Sequence, residues 1–230
     1  MRKYISLFIL VLVVAVAPCK AQGNLPYADD RFIHFGFSLG INTMDFGVKL
    51  SNQDIDGKVY RAEVSGLSPG FSAGLISDLR LNRYFNFRFT PTIHFSDRTI
   101  TYQAIGESEK HTESIFSIPF SLPVHIKYSA ERLHNFRPYI LAGGGVYFDF
   151  GRDAERNIQL RPFDVFIEFG LGCDIYFAFF KLAPEIRFAI GFNNMLTPVD
   201  ERIHGNFDKK YTYALSGLTT KMITIAFNIE

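Results

Sequence analysis

Three histidines, His34, His94 and His125, are the first candidates for chemistry, because imidazole serves both as metal ligand and as general base. Metal binding needs its ligands brought together, and no pair of the three shares one extended segment at close spacing. Interior salt bridging is the plainer reading. Nucleophilic catalysis is a second possibility, with Ser117 or Ser121 beside His125 and an acid supplying the parts of a hydrolase triad. No motif around those residues supports it. Gly143-Gly144-Gly145 is not a phosphate loop, because no helix follows it; it is expected to keep space clear beside Tyr147. Asp54, Asp56, Glu107 and Glu109 could hold a cation, but acids in polar loops are ordinarily just solvated. Cys173 has no internal disulfide partner once the leader described below is removed.

The elements that position these residues are strands. Phe163, Val165, Ile167, Phe169, Leu171, Cys173, Ile175 and Phe177 alternate with Asp164, Phe166, Glu168, Gly170, Gly172, Asp174 and Tyr176. After a turn at 178–180 the pattern restarts, with Leu182, Pro184, Ile186, Phe188, Ile190 and Phe192 against Lys181, Ala183, Glu185, Arg187, Ala189 and Gly191. Period two means strand. Strands this long and this Phe-rich on one face suit a tilted bilayer span of about nine to eleven residues.

The same alternation recurs along the chain: from Phe32 to Asn42, more weakly over 69–79, from Phe85 to Ser96, from Ser117 to Tyr128, from Tyr139 to Phe150, and at the end over 222–230. Long polar connections are expected at 45–68, 97–113, 151–161 and 193–211, and short turns at 80–83, 129–136 and 178–180. Eight antiparallel strands with strictly alternating long and short links have the topology of a transmembrane β-barrel with short periplasmic turns and long external loops. Pro91, Pro119, Pro123 and Pro184 fall inside the strands, where a missing N–H interrupts the ladder.

Volume decides which face points inward. Eight strands enclose a space only just filled by side chains, and the Phe face would overfill it. The opposite face, rich in Gly, Ser, Thr and Ala, fits. A soluble barrel would also carry Lys and Glu where this chain has Gly36, Ser38 and Gly40. The interior therefore collects the charges. A lumen ion-pair network is expected from Arg88, His125, Lys127, Asp164, Glu168, Asp174, Glu185 and Arg187, with His34, His94 and Asp149 on the same face and Tyr139, Phe166 and Tyr176 filling the remainder. Arg88 and Glu185 are expected to meet across the lumen, and Asp174 to lie almost opposite Glu185.

The chain has 230 residues, 47% hydrophobic and 16% aromatic, with 25 Phe and no Trp. Residues 1–21 read as a secretory signal: Arg2 and Lys3, an apolar run from Ile5 to Ala17, then Cys19-Lys20-Ala21. Pro18 before Cys19 fits a lipid-attachment box poorly. Without Arg2, Lys3 and Lys20 the chain keeps 21 basic against 23 acidic residues, a formal charge of −2, which argues against nucleic acid as a partner. Residues 22–30 then form a periplasmic lead-in and 31–230 the barrel.

Taken together, the chain resembles the PorT family, outer-membrane β-barrels tied to type IX secretion and gliding. The likeness is carried by Asp30-Arg31-Phe32-Ile33-His34-Phe35-Gly36-Phe37 with Leu39, Gly40, Asn42, Met44, Asp45 and Phe46, then Ser117-Ile118-Pro119-Phe120-Ser121-Leu122-Pro123 and Arg137-Pro138-Tyr139. The resemblance implies an integral outer-membrane protein in contact with lipid and with other secretion-system proteins. It implies no enzyme, cofactor or metal. Two other classes stay open: a surface barrel that binds a ligand through loops 45–68 and 193–211, and a membrane-embedded lipid-modifying enzyme.

Overall fold

A computed structural model describes residues 24–25, 27–51, 54–55, 58–64, 68–104, 110–150, 158–198 and 214–230. The leader at 1–21, the acids Asp56, Glu107 and Glu109, and most of 193–211 lie outside the described residues. One short 3-10 turn, Ala28–Asp30, precedes twelve strands: β1 (Ile33–Leu50), β2 (Asp54–Ile55), β3 (Lys58–Val64), β4 (Pro69–Arg80), β5 (Phe85–Phe89), β6 (Thr92–Ala104), β7 (Lys110–Ser117), β8 (Pro119–Ser129), β9 (Phe136–Asp149), β10 (Phe163–Tyr176), β11 (Lys181–Gly191) and β12 (Leu215–Ile229).

Among the described residues every strand pairing is antiparallel, and β1 closes the ring by bonding both β12 (Phe37↔Ile229) and β4 (Phe37↔Leu75). The ring has eight members, because β5 with β6, and β7 with β8, are each one long strand with an interruption. The register runs straight through both breaks: β5 meets β8 at Phe89↔Val124 and β6 meets it at Thr92↔Ser121. Proline causes the first break. Leu75 N–H donates to the Pro91 carbonyl at 3.0 Å, but Pro91 has no N–H to return. One strand along, Thr90 N–H donates to the Pro123 carbonyl at 3.3 Å, and Pro123 cannot reciprocate. The orphaned Thr90 carbonyl takes the Thr92 hydroxyl instead, at 2.9 Å. The Thr92 side chain thus repairs the gap that Pro123 leaves in the ladder.

The apolar face points outward, as volume requires. On β10, Phe169 and Leu171 are 52% and 56% exposed, whereas Phe166 and Glu168 are each 2% exposed. Outward Phe, Ile, Leu and Val side chains continue around the ring as the lipid-facing belt.

Several strands outrun the bilayer. β1 continues to Leu50, β3 pairs with β6 (Tyr60↔Ala104), and β6 pairs with β7 out to Gln103↔Lys110. The stretches 45–68 and 97–113, expected as polar connections, therefore contain strands. Above the belt the polarity inverts. Phe46, Ile100, Tyr102, Ile115, Leu160, Met195, Leu215 and Leu218 pack inside as an apolar core, while Asp97, Ser114, Ser216 and Lys221 are exposed. Water surrounds this upper tier, so burial of apolar surface resumes the inward direction it has in a soluble protein. The alternation continued in sequence, but with its faces exchanged.

Candidate functional site

The interior of the lower tier is a continuous polar chain. At its base Lys181 Nζ lies 2.6 Å from Glu230 Oε2, and the other oxygen of Glu230 lies 2.8 Å from Arg88 Nη2. Arg88 Nη1 reaches Glu185 Oε2 at 3.2 Å. Glu185 Oε1 sits 3.2 Å from Arg187 Nε, and Arg187 Nη1 sits 3.6 Å from Glu168 Oε2. Glu168 Oε2 in turn lies 2.7 Å from His125 Nε2. Signs alternate from Lys181 to Glu168, so each carboxylate of the series contacts a cation rather than another carboxylate. Taking an ion from water into a low-dielectric interior costs several kcal/mol, and only such close pairing with further hydrogen bonds offsets it.

Side branches complete the set. Arg88 Nε donates to Asp78 Oδ2 at 2.8 Å, and Asn86 donates to the other Asp78 oxygen at 2.5 Å. Glu185 Oε2 also accepts from the Tyr139 hydroxyl at 2.6 Å and from Asn228 at 3.2 Å. Lys127 Nζ holds Asp174 at 2.8 Å and stands over the Tyr139 ring, 4.0 Å from its centroid. Strand pairing places these groups: Arg88 faces His125 across β5 and β8, and Asp78 faces Arg88 across β4 and β5.

Of the residues expected here, Arg88, His125, Lys127, Glu168, Asp174, Glu185 and Arg187 are all buried; His125 is hydrogen-bonded to Glu168, and the others are in ion pairs. Two details differ. Asp174 is not opposite Glu185; Gly172 is, and Asp174 sits two residues nearer the turn, where Lys127 serves it. Asp164 joins no ion pair among the described residues. It sits at the outer end of β10, where its Oδ1 accepts the Asn193 N–H at 3.0 Å as the chain enters its loop. Asp78, Lys181 and Glu230 were not anticipated as members, although each lies on the inward face of its strand by simple alternation. Arg98 was missed because its segment read as loop. It lies inside, its Cζ 4.6 Å from the Phe46 ring centroid and its Nη2 3.6 Å from Asp149 Oδ2.

The histidines do not converge. His34 Nε2 lies 2.6 Å from the Ala28 carbonyl, His125 is bound to Glu168, and His94 belongs to a neutral chain higher in the lumen. That chain bears on the triad possibility raised by Ser121. Ser121 is within reach of His94, at 3.0 Å, and not of the His125 nitrogen that Glu168 holds. The Ser96 hydroxyl donates to Asn42 Oδ1 at 2.6 Å, which turns the Asn42 amide toward His94 Nδ1 at 3.4 Å. With Nδ1 accepting, Nε2 carries the proton and donates to Ser121 Oγ, which donates onward to the Thr92 carbonyl at 3.2 Å. In that tautomer His94 cannot deprotonate Ser121. The arrangement is a hydrogen-bonded brace, and all its side chains are buried.

Stacked Tyr147 and Phe166 rings, 3.9 Å apart, fill the lumen beside this brace, with Tyr147 paired to Ser121 and its ring 6.2 Å from that of His94, and the upper tier beyond them holds its apolar core. The floor is closed by the lead-in segment. Asp29 takes the Tyr176 hydroxyl at 2.6 Å and Arg137 Nη1 at 3.1 Å, while Arg132 stacks on the Tyr176 ring at 3.7 Å and donates to the Asn24 carbonyl. Side chains occupy the interior at each of these levels.

A family model described as "Outer membrane protein beta-barrel domain" matches residues 20–197. The chain belongs to that family. It is therefore an integral protein of the outer membrane, its belt of outward Phe and Ile in contact with lipid. No curated protein matches this outer-membrane β-barrel in sequence. Among solved structures it is similar to Neisserial surface protein A, at 10% identity and a TM-score of 0.48, covering 86% of this chain and 99% of that one. It is also similar to the outer membrane protein OprG from Pseudomonas aeruginosa, at 13% identity and a TM-score of 0.48 over 85% and 92% of the two chains. A third is outer membrane protein AlkL in DMPC bilayers, at 10% identity and a TM-score of 0.38 over 93% and 95%.

Proposed function

We propose that this outer-membrane β-barrel is a non-enzymatic component of a protein secretion system, required for export of secreted cargo. The observation that carries the reading is the filled interior. A lumen packed with ion pairs, braced by hydrogen bonds and covered at both ends suits a scaffold that acts through its rims. It suits neither a conduit nor a reaction chamber. The one Ser–His contact described is buried, faces no lipid, and holds its histidine in the wrong tautomer for general-base work. The resemblance of the Asp30–Phe46 and Ser117–Pro123 segments to PorT proteins supports type IX secretion with its gliding machinery as the system in this reading, with other outer-membrane secretion proteins as the proposed partners. A clean deletion tests this. Cargo should accumulate within the envelope while the outer membrane stays intact, and complementation should restore export. Normal export from the deletion strain overturns the reading.

A further inference from the structure

We propose that a mixed-charge pocket on the periplasmic rim binds the headgroup of a phospholipid carrying both a phosphate and a primary ammonium, as in phosphatidylethanolamine. The pocket, of about 390 Å³, lies where the lead-in meets the turns after β4 and β8, within the roughly 300–1,000 Å³ range of small-ligand sites. Arg80, Arg83, Arg132 and Arg137 line it together with Asp29, Asp30 and Glu131.

These charges divide into two sets. Arg132 and Arg137 are committed to Asp29, and Arg137 also donates to the Ala130 and Arg83 carbonyls. They form the wall. Arg83 with Glu131, and Arg80 with Asp30, are the open set. Arg83 and Glu131 are 70% and 62% exposed and meet through a single 3.2 Å contact; Asp30 is 67% exposed and meets Arg80 at 3.0 Å. A pair exposed on both sides, as Arg83–Glu131 is, contributes about 0–1 kcal/mol, so a ligand with the same two charges can exchange into it at little cost; Arg80, 28% exposed, adds its charge from the pocket wall. Guanidinium suits a phosphate, which it can grip with two parallel N–H bonds. Glu131 and Asp30 suit an ammonium that can donate hydrogen bonds, and disfavour a second anion.

An aromatic stripe links the pocket to the membrane. Tyr84, in the pocket wall, has its ring 6.4 Å from that of Tyr128, and Tyr128 lies 5.1 Å from Phe85. Tyr128 and Phe85 face outward on the lipid belt, 44% and 39% exposed, with Leu81 beside the turn 55% exposed. A headgroup held by Arg83 and Arg80 would therefore lay its acyl chains along Tyr128 and Phe85. A soluble phosphate would meet only the polar half of this surface.

The test is native mass spectrometry of the full-length barrel, released from detergent with equimolar phosphatidylethanolamine, phosphatidylglycerol and phosphatidylcholine of matched chains. One phosphatidylethanolamine should be retained, about tenfold over phosphatidylcholine and several-fold over phosphatidylglycerol. R83A with R80A should abolish that preference, and E131Q should lower phosphatidylethanolamine retention relative to phosphatidylglycerol. Heat-modifiability on gels confirms that each variant is folded, and R83K, which keeps charge but loses the fork, should show an intermediate preference. Inorganic phosphate at millimolar concentration should not displace the lipid. Equal retention of the three lipids, an unchanged preference in R83A/R80A, or displacement by free phosphate each overturns the proposal.

Discussion

Arg88 on β5 and Glu185 on β11 meet inside the barrel, Nη1 to Oε2 at 3.2 Å, although they stand 97 positions apart in sequence. Each is shared. Arg88 also holds Asp78 and Glu230, and Glu185 also holds Arg187, Tyr139 and Asn228. The contact is a junction in a network rather than an isolated bridge. Its removal is therefore felt in proportion to what is left uncompensated.

Arg88→Ala leaves three buried carboxylates short of a cation, and should destabilise the barrel by at least the roughly 3–5 kcal/mol typical of breaking one buried pair. Glu185→Gln added to it should recover only part, because Asp78 and Glu230 remain. Urea unfolding of refolded protein, followed by the folded-to-unfolded gel shift, measures both. An Arg88→Ala barrel as stable as wild type would remove the network from any account of stability.

The filled lumen predicts near-zero conductance. Purified protein in planar bilayers should give no stable large current, because the Tyr147–Phe166 stack and the apolar core above it leave ions no hydrated path. Tyr147→Ala with Phe166→Ala should not open a wide pore either, since the cover formed by Ile100, Tyr102 and Leu218 remains in place. A large steady current from wild type would contradict the occluded interior.

The sequence revealed the membrane tier well and the upper tier poorly, for one physical reason. Alternation reports which face is buried only when the surroundings are known. In Phe163–Phe192 the outward Phe stripe is unmistakable because lipid covers every outward position. Beyond the bilayer the stripe moves inward: Arg98, Ile100 and Tyr102 face the interior while Asp97, Thr99 and Thr101 face out, so in sequence the stretch looks like a polar loop. Within the network, residue types and faces were legible, including Arg88 against Glu185. The partner of Asp174 was not, because it depends on register across three strands. Asp78, Lys181 and Glu230 carried the right parity, but they sat at strand ends, where alternation gives no sign of how far the lumen extends.

The inversion between tiers can be measured by placing the same residue on both. Phe169→Arg puts a charge in the lipid belt and should cost about 2–4 kcal/mol near the bilayer midplane. Asp97→Arg, on the exposed face of β6 in the upper tier, should stay within about 0.5 kcal/mol of wild type, as for an ordinary surface site. Equal costs at the two positions would mean that this end of β6 does not stand in water.

The glycine run at 143–145 serves the approach of two strands rather than a ligand or an open lumen. A Cβ on Gly143 would run into the Val124 carbonyl and lie 2.7 Å from the His125 Cα, and one on Gly145 would lie 2.5 Å from the Leu122 carbonyl. These obstacles are backbone on β8, which cannot step aside without disturbing the pairing that sets His125 against Glu168. Gly217 is the control: a Cβ there meets only the Asn194 side chain, at 3.4 Å. Gly143→Ala should therefore cost about 1–3 kcal/mol, the usual range for forcing extra atoms into packed structure. Gly217→Ala should be neutral, or gain the roughly 0.4–1 kcal/mol that restricting the unfolded chain gives at a compatible site. Urea midpoints of the two single variants decide the matter, and a neutral Gly143→Ala would show that β8 and β9 stand further apart than their register implies.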